Sequence, residues 1–222
     1  MYSKKLKELL TPYNLGFTKI RIGPSYDGGY VIYEEPLSDT SNVYSFGIGP
    51  VCESDLDLAV MGKIIHMYDI QPFNHLSHPN FIFKQVYVTS TLVDQELESV
   101  DDTNLLMCMD IEEGEYEVLT NMSEKNLLKF SQITLESHWL FGKKGEHVIK
   151  MFERLNEYFY LYHIHGNSGG LIFDGVPDVV ECSYLRKDLC DKVKKENQKY
   201  PLDELDFPNH PSQTQMILNW WI

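Results

Sequence analysis

The sequence predicts an α/β fold: a Rossmann-like seven-stranded sheet with an antiparallel last strand, preceded by an N-terminal helix and a β-hairpin. Three observations predict it. Short apolar runs alternate with helix-like stretches and end on glycine, acid or histidine. The run Val43–Phe46 breaks at Gly47-Ile48-Gly49-Pro50, and a second run, Ile64–Tyr68, ends on Asp69. That is a βαβ unit with a glycine turn and an acid about twenty residues later, an arrangement that holds a nucleoside by its ribose hydroxyls. Finally, Phe159–Ile164 and Val179–Tyr184 are joined by a segment too short for a crossover helix, so the last strand must pair antiparallel.

Composition bounds the rest. With 222 residues, 43% of them hydrophobic and 23% charged, the chain reads as one globular domain. Its expected parts are a helix and hairpin over 1–40, a sheet core over 41–185 and a tail over 186–222. A net charge of −14 argues against nucleic acid as partner, because phosphate backbones call for a basic surface. Cys52, Cys108, Cys182 and Cys190 form no C-x-x-C pair and read as reduced thiols. Neither a signal peptide nor an apolar run of membrane-spanning length is evident, so the expectation is a cytoplasmic protein.

In chain order, Leu6, Leu9 and Leu10 share one face of a short helix over residues 3–11 that Pro12 ends, a lid or a packing helix. Phe17–Gly23 and Gly29–Tyr33 alternate with strand period around the turn Pro24–Gly28. After Gly49 a helix is expected to be capped by Ser54, with Asp57 bonding back to its first turn and Gly62 stopping it. Phe81–Val88 is the third strand of the sheet, and Asp94–Asp102 a solvated loop or exposed helix. Asn104–Met109 is fully apolar and delivers Asp110, and Ser131–Leu135 delivers Glu136, Ser137 and His138. Residues 145–158 carry an apolar stripe of Val148, Met151, Phe152 and Leu155. Strand six ends on His165-Gly166-Asn167. Beyond 186 periodicity is lost, and Trp220 and Trp221 are expected to dock on an apolar surface, a second subunit of a homodimer being one candidate.

Ligands of open α/β sheets collect beyond the carboxyl ends of the strands. Those ends carry Gly47 and Gly49, Asp69 with Ile70, Asp110, Glu136 with His138, and His165. A dinucleotide fingerprint would have glycine at position 52; Cys52 stands there, and Glu53 and Asp55 crowd the helix mouth. Such a mouth repels a diphosphate and tolerates a cation, and S-adenosylmethionine carries a sulfonium and an ammonium. Arg21, Asp27, Gly28, Gly29 and Tyr30 are further cofactor candidates, the arginine for a carboxylate. A hydroxyl attacking a methyl sulfonium needs a base, and His138 and His165 stand at the right edge. Asp110 and Glu136 are also candidate ligands of a divalent cation, magnesium or manganese, whose shell acceptor hydroxyls would complete. His66, His75, His78, His147 and His210 fall off that edge or in loops, and His163 shares a face with His165.

The series Arg21-x-Gly23, Asp27–Tyr30, Tyr44–Gly49, Asp110-Ile111-Glu112-x-Gly114-Glu115, Gln132-Ile133-x-Leu135-Glu136-x-His138 and His165-x-Asn167 resembles the FkbM-like methyltransferases, nearest their branch related to methyltransferase-like protein 24. The resemblance spans about Ile20 to Glu181 and continues weakly through Pro201–Asn209. It implies a class I S-adenosylmethionine-dependent fold and O-methylation of a sugar, nucleotide-sugar or glycan hydroxyl, deoxyhexoses among them. One departure is the doubled acid Glu112-Glu113 before Gly114, which leaves open which of the two fills the motif position. The rival readings are a nicotinamide-dependent oxidoreductase, which the missing glycine opposes, and a non-catalytic α/β interaction module.

Overall fold

A computed structural model describes residues 1–50, 52–72 and 77–222; Val51 and residues 73–76, His75 among them, lie outside the described residues. The elements that position the site are α1 (Tyr2–Leu9), β1 (Lys19–Ile22), β2 (Tyr30–Tyr33), β3 (Asn42–Phe46), α2 (Glu53–Val60), β4 (Ile64–Asp69) and β5 (Phe81–Gln85). They continue with α3 (Ser90–Leu97), β6 (Leu105–Met109), α4 (Glu115–Asn121), β7 (Phe130–Ser137), α5 (Gly145–Tyr158), β8 (Phe159–Gly166) and β9 (Val180–Arg186).

The sheet runs β5-β4-β3-β6-β7-β9-β8. The strands from β5 to β7 pair parallel, while β9 runs antiparallel to both of its neighbours. This is the class I methyltransferase order, and it places the reversed strand between β7 and β8 rather than at an edge. Parallel strands are covered on both faces, which is why β6 and β7 are buried at every position. Helix α5 turns its stripe of Val148, Met151, Phe152 and Leu155 into the core. Against it packs α1, with Leu6 and Leu10 fully buried, so the N-terminal helix is a packing element. Each such side chain is worth about 2 kcal/mol of burial. The hairpin forms as expected, with Ile22 opposite Tyr30.

Several local expectations need correction. Cys52, not Ser54, occupies the N-cap of α2 and no side chain caps it. Asp57 accepts from the Gly23 amide at 2.8 Å and ties the helix to the hairpin instead of to its own first turn. Gly62, at φ +88°, does stop the helix. The stretch around Asp94 is the half-buried helix α3; Thr89 caps it through the Leu92 amide, and Val93 and Leu97 enter the core. Trp220 and Trp221 dock on their own chain, donating to the carbonyls of Lys7 and Gln198.

The tail is bolted to β8 through a buried pair. His163 Nε2 lies 2.8 Å from Asp206 Oδ1, and the Leu202 amide donates to Oδ2 at 2.7 Å. Burial works to raise the Asp206 carboxyl, but His163 and the Leu202 amide outweigh it and hold it at about 2. Burial lowers His163, and a neutral ring still donates from Nε2. A depressed carboxyl contributes stability above its unfolded pKa and loses it as pH falls through the folded value. Acid unfolding is therefore expected to steepen between about pH 4 and pH 2, and Asp206→Asn should remove on the order of 2 kcal/mol at neutral pH while flattening that limb.

Candidate active site

Strand register assembles the site. Phe46, Met109, Leu135, Cys182 and Ile164 lie side by side across β3, β6, β7, β9 and β8. One residue further toward the carboxyl edge come Gly47, Asp110, Glu136, Glu181 and His165, with Asp69 of β4 and Gln85 of β5 beyond Gly47. Neighbours in such a row point to the same side of a sheet, so one transverse line gathers the acids and the histidine. The strand order turns between β3 and β6, which puts Gly47 and Asp110 at the switch point, where ligands bind.

Two adjoining hollows open there. The larger, of about 490 Å³, is lined by Gly47, Gly49, Asp69, Ile70, Tyr87 and Asp110, among others. A narrower recess of about 90 Å³ reaches Gly28, Tyr30, Ser45, Ile48, Asp55 and Cys108. Asp27, Gly47, Gly49, Pro50 and Asp110 border both. The combined space falls in the size range of small-molecule sites.

Asp69 stands at the glycine turn. Its Oδ2 accepts from Ile48 N at 2.7 Å and Gly49 N at 3.2 Å, and Oδ1 accepts from Gln71 N at 2.7 Å. A carboxylate has about four acceptor positions, so lone pairs remain for hydroxyls in the hollow. Gly47 has φ +78°, and a Cβ there would lie 1.7 Å from the Asp110 carbonyl oxygen. No other residue lets β3 and β6 approach so closely.

Asp55 sits on the first turn of α2 at the back of the recess, 3% exposed, with Oδ1 unpartnered. Burial pushes its carboxyl up to about 7, and the Ser45 hydroxyl offsets only part of that. Sequence reasoning saw it as a charge that repels diphosphate and missed it as a pocket wall; its spacing from Gly49 is the signal that was there to read. Glu53 accepts from Tyr26 OH at 3.2 Å.

Arg21 does not reach the hollows. Its three nitrogens donate to the carbonyls of Pro24, Leu205 and Tyr26, and its guanidinium stacks on Phe207. Burial lowers its pKa. Gly29 lies against it, since a Cβ there would come 2.3 Å from Arg21 Nη2 and from the Pro24 carbonyl oxygen. Both residues shape the loop that carries Asp27 and Gly28.

On the other side of Asp110 lies a cluster of charge. His138 Nε2 is 3.7 Å from Asp110 Oδ1, 3.7 Å from Glu136 Oε1 and 3.6 Å from Glu112 Oε2, and its Nδ1 is 3.6 Å from Glu115 Oε1. Burial works against a charged ring, but the carboxylates of Glu115, Glu136 and Asp110 prevail and push His138 up to about 9. At neutral pH the ring therefore holds its proton. Asp110 is raised to about 7 by burial, with His138 opposing and Glu112 and Glu115 adding to the rise. Glu136 is raised well above the usual range by burial and by Glu181 and Asp110. His165 Nδ1 lies 3.0 Å from Glu181 Oε2, while its Nε2 is buried and unpartnered. Burial lowers and Glu181 raises its pKa, the net shift being upward.

The tail completes this wall. Asn209 Nδ2 donates to Glu181 Oε1 at 2.6 Å and to Asp27 Oδ1 at 2.9 Å, and Asn167 Nδ2 donates to Glu136 Oε1 at 2.7 Å. Of the doubled acids, Glu112 faces the larger hollow and Glu113 pairs with Lys144 at 3.5 Å; both have positive φ. Glu181 and Asn209 were not singled out as site residues, because only the β7–β9 register and the path of the tail bring them here, and neither was Glu115, which the start of α4 sets under the His138 amide.

No family model and no curated protein sequence matches the chain. Among solved structures it is similar to a chain of a fibrillarin/Nop5p complex, at 13% identity and TM-score 0.45, over 79% of this chain and 98% of that one. It is also similar to WbdD, a bifunctional kinase-methyltransferase, at 12% identity and TM-score 0.40, over 75% of this chain but only 40% of that one. A third is a mutant 16S rRNA (adenine(1408)-N(1))-methyltransferase from Catenulisporales acidiphilia, at 9% identity and TM-score 0.33, over 79% and 97%. Likenesses this distant add nothing to what the strand order already shows. Among the described residues no helix is long and apolar enough to cross a membrane.

Proposed function

We propose that this chain is an S-adenosylmethionine-dependent O-methyltransferase whose acceptor is a hydroxyl of a sugar, nucleotide sugar or glycan. The observation that carries the reading is the transverse row: it sets Asp69 against the glycine turn and Asp110 beside it, on one hollow at the switch point. The residues present fit the cofactor. Asp69 keeps lone pairs for ribose hydroxyls, Ile70 and Tyr87 offer apolar surface to a purine, and the buried Asp55 and nearby Asp27 face the end that bears an ammonium. The bound cofactor would supply an electrophilic methyl on a sulfonium.

The chain's own residues then have to hold the acceptor and take its proton. Asp110 borders both hollows, and behind it Glu136, His138 and the Glu181–His165 pair form a buried wall. Carboxylates that accept from several hydroxyls suit a polyol, and among these acceptors an acidic wall favours an uncharged sugar or glycan over a nucleotide sugar with its diphosphate. The nicotinamide alternative fares worse, since Glu53 and Asp55 both occupy the first turn of α2, where a diphosphate would sit.

Calorimetry with S-adenosylhomocysteine tests the reading. Binding to the intact protein should weaken about ten- to a hundredfold in Asp69→Ala, the loss of hydrogen bonds to a charged group. A folded sample that binds no S-adenosylhomocysteine would end the assignment.

A further inference from the structure

We propose that Asp110, Glu136 and His138 form a binding site for one divalent transition-metal cation, of the manganese(II) kind, at the inner edge of the pocket. One donor atom from each side chain lies within 4.8 Å of the other two. Two of the three separations, from His138 Nε2 to Asp110 Oδ1 and to Glu136 Oε1, are 3.7 Å. With two edges of 3.7 Å and a third no longer than 4.8 Å, the point equidistant from the three atoms lies at most about 2.4 Å from each, within the length of a metal bond to carboxylate or imidazole. At 3.7 Å the two histidine–carboxylate pairs are too long for hydrogen bonds, so the ring and the two carboxylates converge without the ring satisfying either acid.

Observations beyond clustered acidity point the same way. The His138 side chain is 9% exposed, and among the described residues its buried Nδ1 has no hydrogen-bond partner. Asp110 Oδ1 is buried and also lacks a partner. Behind the ring, the wholly buried Glu115 sets Oε1 3.6 Å from Nδ1, the place of the carboxylate that orients a metal-bound imidazole from its far side. Asn167 donates to Glu136 Oε1 and fixes that carboxylate in turn. The loops on either side hold Glu112, Glu113 and Trp139 at positive φ, strain that persists only where the surroundings impose it.

Charge supplies the reason for a cation. Asp27, Asp110, Glu112, Glu115, Glu136 and Glu181 gather around two histidines, and no lysine or arginine forms an ion pair with any of these acids among the described residues. A divalent ion in place of one imidazole proton would neutralise more of that charge. One imidazole with two carboxylates favours manganese over magnesium, which takes oxygen ligands and water. The remaining positions would open toward the pocket bordered by Asp110, where acceptor hydroxyls could complete the shell.

The test needs no cofactor, so its outcome is separate from that of methyl transfer. Full-length protein freed of metal with a chelator is titrated with MnCl2, followed by calorimetry and electron spin resonance. One site per chain is expected, with spin-echo modulation from a directly bound imidazole nitrogen. Asp110→Asn, which keeps the side chain's shape, and His138→Gln should each weaken binding at least tenfold. Glu98→Gln, on an exposed acid away from the cluster, should leave it within twofold. Absence of binding at millimolar MnCl2, equal binding by Asp110→Asn and the intact protein, or bound manganese without the nitrogen signal would each overturn the proposal. Should His138→Gln fail to fold, Asp110→Asn and the nitrogen signal still decide it.

Discussion

Gly47→Ala is expected to destabilise the protein by about 3 kcal/mol or more, while Gly49→Ala, two residues along the same turn, should cost about 1 kcal/mol. Both glycines have positive φ, so both substitutions carry the left-handed penalty. They differ in what the new methyl meets. At Gly47 it would fall 1.7 Å from the Asp110 carbonyl oxygen and 2.6 Å from its carbon, backbone on backbone, so β3 and β6 must part at the switch point. At Gly49 nothing lies within 4 Å. For a chain of this size each kcal/mol moves Tm by roughly 2 to 4 °C, so the pair should separate by several degrees in a thermal melt. Equal losses would mean that the strands do not close on Gly47 as described.

Asp55→Asn is expected to do the opposite and stabilise the protein at pH 8, by up to about 4 kcal/mol. The sign follows from burial. An acid whose folded pKa is raised contributes stability below its unfolded pKa and loses it as pH rises through the folded value. With Asp55 at about 7, that loss falls between about pH 4 and pH 7 and is complete above it. The amide carries no charge and lacks this slope, so the two stability–pH curves should diverge across that interval and run parallel beyond it. The same substitution should weaken S-adenosylhomocysteine binding, because an ammonium placed in the recess loses its counter-charge. Lower stability at pH 8 would sink the claim that this carboxylate is buried with too little compensation for its charge. A buried acid that destabilises its own fold is the kind of local conflict that functional sites retain.

The sheet was legible because its strands are buried on both sides, so they read as apolar runs that end abruptly on Gly47, Asp69, Asp110 and Glu136. The antiparallel last strand followed from loop length alone. Its place between β7 and β8 did not, since that depends on which edge is free to accept it. Helix α3 was half seen: Val93 and Leu97 show too few apolar positions for periodicity, and the capping Thr89 lies upstream of the polar stretch. The site divided along the same line. Residues at strand ends were readable from position, whereas the place of Arg21 was not, because its guanidinium finds carbonyls of the hairpin turn and of Leu205, a contact across most of the sequence. Glu181 stayed hidden because a one-residue change of register would have turned it to the other face.

The Asn209 bridge has a consequence for synthesis. It joins Asp27, near the start of the chain, to Glu181, and it lies 182 positions from the first of them. A nascent polypeptide can lay down every strand of the sheet while residue 209 is still inside the ribosome, and domains do begin to fold as they emerge. Until that asparagine arrives, Asp27 and Glu181 face each other with no amide between them. This side of the pocket is thereby closed only once the tail has wrapped back over the sheet.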